Sequence, residues 1–307
     1  MRTRWRLPVM LLAVTALFWL LLDAREVRQA VGEGLALCTG SVIPALFPFL
    51  CVSSLLMALG FGELAAGPLG GLMGLYGLDG SASSALLLGL VGGYPVGART
   101  AAELVEQGLL AKEEGERLLT FCNNANPAFL INVLGVGIFG SVRVGVWLWL
   151  IHLLSALLAG LLVGRPARGS RRRPSAGQRH LPVRAVRLSA ALVEAVRSAL
   201  TAMAGVCAFV VFCYVMALPL RRLPGLPGTV LTGLVELFSA SVRLLPDGTG
   251  FVLASALAGW GGVSVHCQTL AVLGDSGLSA VPYLKGKAVQ GLVSAALAAV
   301  LRGYVMG

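Results

Sequence analysis

The chain has 307 residues, of which 57% are hydrophobic and 12% charged, with a mean hydropathy of +0.84. Soluble domains carry about a quarter charged residues, so this composition excludes a soluble globular protein. It reads as a multi-pass membrane protein with room for roughly seven to nine spans of about 20 residues each. The excess of 24 Lys+Arg over 14 Asp+Glu, a formal charge of +10, then reports cytoplasmic loops and not a nucleic-acid partner.

In chain order, Arg2, Arg4 and Arg6 precede an apolar run at about 7–22. This start resembles a signal peptide, but Asp23-Ala24-Arg25-Glu26 is a poor cleavage site, so a retained first helix with its N-terminus inside is expected. A second apolar stretch at about 35–59 contains Pro44 and Pro48, which should kink it. Between 61 and 108 the apolar runs are short and glycine-rich, as in interfacial or re-entrant segments. A polar helix is expected at about 101–117. Beyond it come a span holding Asn123, Asn124 and Asn126 ahead of Pro127, and another span at about 144–163.

The stretch 165–187 carries eight arginines and no acid and reads as a cytoplasmic linker, with four crossings before it. An amphipathic lead-in (188–198), an apolar run (199–220) and a last helix at about 289–301 follow. The organisation expected is therefore an N-terminal helix and loop (1–34), a first repeat (35–164), the linker (165–187) and a second repeat (188–307). The six cysteines lie singly, without metal-ligand spacing, and no metal or cofactor is expected.

Sliding the chain by 169 residues aligns Gly92-Gly93 with Gly261-Gly262, Val96 with Val265, Thr100 with Thr269 and Gly108-Leu109 with Gly277-Leu278, within eight identities in eighteen positions. Paired glycines at membrane depth permit close backbone approach and helix breaks. Such breaks are tolerated only where they are buried or line a cavity. Matching breaks in two halves point to a substrate site between them.

In the first half this singles out Gly93, Tyr94, Pro95, Arg99 and Thr100, together with Asn123, Asn124 and Asn126. Arg99 either snorkels to the interface or faces the cavity and pairs an acidic group. The asparagines either bond helix to helix or present amides to a ligand. In the second half, Ser264, His266 and Gln268 would point one way in an extended segment. In a helix, Ser264 and Gln268 share a face. Asp79, Glu236 and Asp275 read as terminal or loop-borne, so the sequence assigns no proton or sodium relay. A phosphate loop is excluded because Gly97 is followed by Ala98-Arg99 where Lys-Ser/Thr is needed. Intramembrane serine hydrolysis by Ser264 with His152 or His266 lacks a second supporting motif, so an enzyme is not expected.

Five motifs carry a family resemblance: Ile43-Pro44-Ala45-Leu46-Phe47-Pro48-Phe49, Gly92-Gly93-Tyr94-Pro95-Val96-Gly97-Ala98, Glu114-Gly115-Glu116-Arg117-Leu118, Asn123-Asn124-Ala125-Asn126-Pro127, and Gly261 through Gln268. Over about 35–305 the chain resembles the YlbJ-type (SpoVV-like) sporulation integral membrane proteins. Their nucleoside-recognition "gate" domain is shared with concentrative nucleoside transporters, the ferrous iron transporter B and the spore maturation proteins. The resemblance implies an all-α polytopic fold of two gate-domain-like, inverted repeats with broken or re-entrant helices. It also implies movement of dipicolinic acid across the outer forespore membrane. Expected partners are the lipid bilayer, a small-molecule substrate such as dipicolinate, and a second copy or other sporulation membrane proteins. A nucleoside or other neutral solute, or a non-transporting scaffold for spore envelope assembly, are the alternatives.

Overall fold

A computed structural model of the chain describes residues 6–164, 187–274 and 276–307 and, within the helix Phe61–Leu75, only the backbone of 62–67. Most of the arginine-rich linker (165–186), Arg2, Arg4 and Asp275 lie outside the described residues. Those described form helices and connecting turns, with no strand among them. Among the described residues, five helical stretches are long and apolar enough to cross a membrane: Ala24–Ala58, Val142–Val163, Leu188–Met216, Gly248–Leu273 and Val281–Met306. Arg6–Leu22, Ala82–Gly92 and Gly225–Val235 are apolar but shorter.

Helix α1 (Arg6–Leu22) leads into α2 (Ala24–Leu37), which runs through a π-helical turn, Cys38–Val42, into α3 (Ile43–Ala58). The sequence predicts a kink at Pro44, and the π turn immediately before it is the physical counterpart. Proline offers no N–H to the carbonyl four residues back and crowds it, and a widened turn absorbs both effects. Pro48 is carried inside α3. The glycine-rich region forms α4 (Phe61–Leu75), α5 (Ala82–Gly92) and α6 (Val96–Glu106).

The single polar helix expected at 101–117 is two, α6 and α7 (Lys112–Leu118). The chain turns between them at Gly108, whose φ of 69° is open to glycine and closed to most other residues. A second π-helical segment, Phe129–Val136, precedes α8 (Val142–Val163).

After the linker, the lead-in and the apolar run expected as separate pieces form one helix, α9 (Leu188–Met216). The short α10 (Leu218–Arg221), α11 (Gly225–Val235) and α12 (Leu237–Ser241) follow, then α13 (Gly248–Trp260), α14 (Val263–Leu273) and α15 (Val281–Met306). Helix α15 begins eight residues earlier than the expected start at 289. Its first turns hold Lys285 and Lys287, which interrupt the apolar run.

Among the described residues, two large apolar clusters organise the fold, beside a smaller one around Ala30, Tyr214 and Val215. One joins α3, the Phe129–Val136 segment, α8, α12, α13 and the C-terminal half of α15 through residues such as Leu46, Phe129, Leu148, Phe251 and Ala298. The other joins α4 to α7 with α14 and the start of α15, through Met73, Leu86, Leu118, Phe121, Leu273 and Tyr283. Helix α15 enters both clusters, and its polar residues lie between them. Separately, Glu33 of α2 pairs with Arg221 of α10 at 2.9 Å, and that guanidinium stacks 3.7 Å over the Tyr214 ring. This contact ties the first membrane unit to the end of α9.

Candidate functional site

Both glycine pairs break helices, as the sequence predicts. Helix α5 ends at Gly92, Gly93 takes φ 78°, and α6 starts after Pro95. Helix α13 ends at Trp260, Gly261 and Gly262 take φ 93° and 86°, and α14 starts at Val263. All three glycines have the left-handed backbone that L side chains resist. The two breaks meet: a Cβ built on Gly261 would lie 3.3 Å from the Tyr94 hydroxyl, whose oxygen is 3.5 Å from the Ala258 carbonyl. Close packing holds the first break in place, because a Cβ on either Gly89 or Gly97 would overlap the Cys122 carbonyl.

Beside the breaks lies a buried polar network whose centre is on α15. Tyr283, Lys287, Gln290 and Ser294 follow one another at spacings of four, three and four, so they share one helix face, and each is at most 1% exposed. The Lys287 ammonium donates to the Tyr94 hydroxyl at 2.8 Å, to Gln290 Oε1 at 2.7 Å and to the Asn123 carbonyl at 3.4 Å. It also lies 5.0 Å from the centre of the Tyr94 ring. No carboxylate pairs with it among the described residues. Gly286 presses against the Thr120 backbone with no room for a Cβ, which seats the next residue, Lys287, against the Asn123-Asn124 turn.

Gln290 Nε2 donates to Asn124 Oδ1 at 3.1 Å and faces His152 Nε2 at 3.3 Å. His152 Nε2 also accepts the Ala125 N–H at 3.1 Å, so the ring proton belongs on Nδ1, which is buried without a partner. One turn along each helix, Ser294 donates to Ser155 at 2.7 Å. On the other side, Asn123 Nδ2 donates to the Thr269 hydroxyl at 2.9 Å while its Oδ1 accepts from Ala98 N–H at 3.4 Å. Asn123 thereby links α6 to α14. Tyr283 joins the same corner through Thr269 at 3.3 Å and His266 Nδ1 at 2.9 Å.

Next to the network, across Tyr94, is a cavity of about 50 Å³ whose polar lining is Tyr94, Asn126, Glu236, Ser264 and Gln268. Ser264 and Gln268 reach it together because the segment is helical. His266 turns instead toward Tyr283 and the edge of Trp260, 4.3 Å between ring centres. The structure thus gathers Gly93, Tyr94, Asn123, Asn124, Asn126, Ser264, His266 and Gln268. Pro95 precedes the first turn of α6. Thr100 returns its hydroxyl to the Val96 carbonyl at 3.0 Å, and Arg99 is exposed. The small residues Gly97, Ala98, Ala101 and Ala102 make the buried face of α6, and that leaves Arg99 on the opposite side.

Sequence reasoning passed over Lys287, Gln290 and Glu236, and considered His152 only as a catalytic base. Glu236, read as loop-borne, is 1% exposed and forms the junction of α11 and α12.

Fold and site together define a multi-pass helical membrane protein with two broken helices meeting at a buried polar cluster. The chain is 26% identical, over 310 aligned positions, to the sporulation integral membrane protein YlbJ of Bacillus subtilis (strain 168); the match covers 87% of this chain and 75% of that protein. This similarity supports assignment of the chain to the YlbJ type, as the motifs anticipate. No protein-family model matches the chain, and no solved structure matches it.

Proposed function

We propose that the chain is a permease for a small polar anion, bound between its two halves and released by movement of α6 against α14. The observation that supports this reading is Lys287, a buried ammonium with no carboxylate partner among the described residues, reached from the cavity through Tyr94. A buried cation is costly unless something compensates it, and an arriving carboxylate would be the missing counter-ion. Pockets for drug-sized ligands occupy about 300–1,000 Å³, so a 50 Å³ cavity corresponds to a closed state. Separation of the two broken helices would enlarge it. The matching helix–glycine–helix units α5–α6 and α13–α14 are read here as the mobile parts of two inverted, gate-like repeats. On this reading Asn126, Ser264 and Gln268 orient the substrate ring.

The relative's name places it in sporulation, and the anion best suited to that setting and to this site is dipicolinate, an aromatic dicarboxylate. The outer forespore membrane is the corresponding location. A neutral solute such as a nucleoside is the second reading, favoured by the amide and hydroxyl groups that line the cavity itself. Thermal stabilisation of the purified protein separates the two. Dipicolinate and related dicarboxylates are expected to raise the melting temperature saturably while nucleosides leave it unchanged. The reverse pattern would establish the neutral-solute reading.

A further inference from the structure

The cavity has an acidic residue in its lining as well as a contact, through Tyr94, with a basic one. Glu236 lines it together with Tyr94, and its carboxylate is buried with no cationic side chain paired to it among the described residues. Its oxygens accept from the backbone N–H groups of Phe238, at 3.0 Å, and Ser239. Two N–H donors leave further lone pairs on the carboxylate.

Other oxygen atoms belong to the same junction of α11 and α12. The carbonyls of Gly233 and Val235, at the negative end of α11, face Gly262, where a Cβ would lie 3.4 Å and 3.2 Å from them. The Ser239 hydroxyl is buried beside the carboxylate. Thr232, whose carbonyl takes the Glu236 N–H at 2.7 Å, is fully buried, and its hydroxyl has no hydrogen-bond partner. The junction therefore offers a carboxylate, helix-end carbonyls and hydroxyls, all hard oxygen donors, with net negative charge. Such an environment suits a hard cation better than a thiophilic or imidazole-binding metal.

We infer that Glu236, with Thr232 and Ser239, holds a monovalent cation, a proton or Na⁺, that accompanies the anionic substrate. The cation neutralises Glu236 while the substrate carboxylate neutralises Lys287. Binding of either ligand then favours the other through the opposite charges they bring. The inference rests on the permease reading for its purpose, but the cation site itself is measurable with no substrate present.

The test uses the full chain in nanodiscs without dicarboxylate. Its melting temperature is followed in NaCl against choline chloride at equal ionic strength, and across pH 5 to 8 in choline. Saturable stabilisation by Na⁺ identifies Na⁺ as the ligand; stabilisation only on acidification identifies the proton. In either case Glu236→Gln is expected to abolish the response. Thr232→Val, which keeps the shape and removes one oxygen, should weaken a Na⁺ response about tenfold and leave a proton response in place. Because Glu236→Gln can disturb the α12 cap, Thr232→Val and Glu236→Asp serve as independent variants. Absence of any cation response in the unaltered protein overturns the inference, as does a Glu236→Gln protein that folds and responds like the original. Either result leaves dicarboxylate binding at Lys287 to be judged separately.

Discussion

Replacing Lys287 by Met is expected to abolish dicarboxylate uptake while leaving the protein folded. The two effects separate because they depend on different balances. Removing one partner of a buried ion pair costs about 3–5 kcal/mol, so losing the ammonium should weaken anion binding on the order of a hundredfold or more. Without substrate the same ammonium has no counter-ion, and an apolar side chain of similar length avoids the desolvation of a buried charge. It does leave Tyr94, Gln290 Oε1 and the Asn123 carbonyl short of one donor, at about 1–3 kcal/mol each, a sum similar to the several kcal/mol of desolvation that is avoided. The opposing terms nearly cancel, so the melting temperature should move by only a few degrees. Lys287→Arg keeps the charge but not the fit, because Gly286 holds α15 hard against Thr120, and an intermediate loss is expected. Arg99→Gln is the contrasting control: Arg99 is exposed, and uptake should stay within about twofold of the original. Uptake unchanged in Lys287→Met, or lost in Arg99→Gln, would transfer the anion site from α15 to α6.

The second large effect is on stability. Gly89→Ala and Gly97→Ala each put a methyl group into the Cys122 carbonyl, a backbone atom that cannot swing aside as a side chain would. Overpacking of this kind costs about 1–3 kcal/mol and sometimes more, and each variant should melt on the order of 5–10 °C lower. Gly205→Ala gives the comparison. Its Cβ meets nothing within 4 Å in the middle of α9, so higher helix propensity should leave the protein as stable or raise it by up to about 1 kcal/mol. Melting curves of the three purified variants decide the matter; equal losses in all three would show that the α5–α6 contact does not hold the first break.

The sequence made the breaks legible because glycine signals a backbone requirement locally: Gly92-Gly93 and Gly261-Gly262 need no knowledge of the rest of the chain. The shared face of Ser264 and Gln268 was legible for the same reason, once the segment is helical. Lys287 was hidden by its own charge. Lys285 and Lys287 lower the hydropathy of the first turns of α15, so the apolar run starts at 289 and the lysine falls outside it. The signal that reveals it is the spacing Tyr283, Lys287, Gln290, Ser294, a polar stripe at helical period on an otherwise apolar helix. His152 and Gln290 are 138 residues apart, and nothing local in either segment announces the other. Glu236 read as a loop residue because its flanking helices are short; its burial comes from packing of the Gly262 break against α11, which is long-range. Arg99 was decidable in principle, since Gly97, Ala98, Ala101 and Ala102 mark the packed face of α6 and exclude it.

Uptake of labelled dipicolinate into liposomes carrying the purified protein tests the permease reading most directly. Saturable accumulation above protein-free liposomes, competed by unlabelled dicarboxylates and lost in Lys287→Met, is the expected result. Liposomes with folded protein that take up no more dipicolinate than empty ones, in both Na⁺ and a proton gradient, would contradict it.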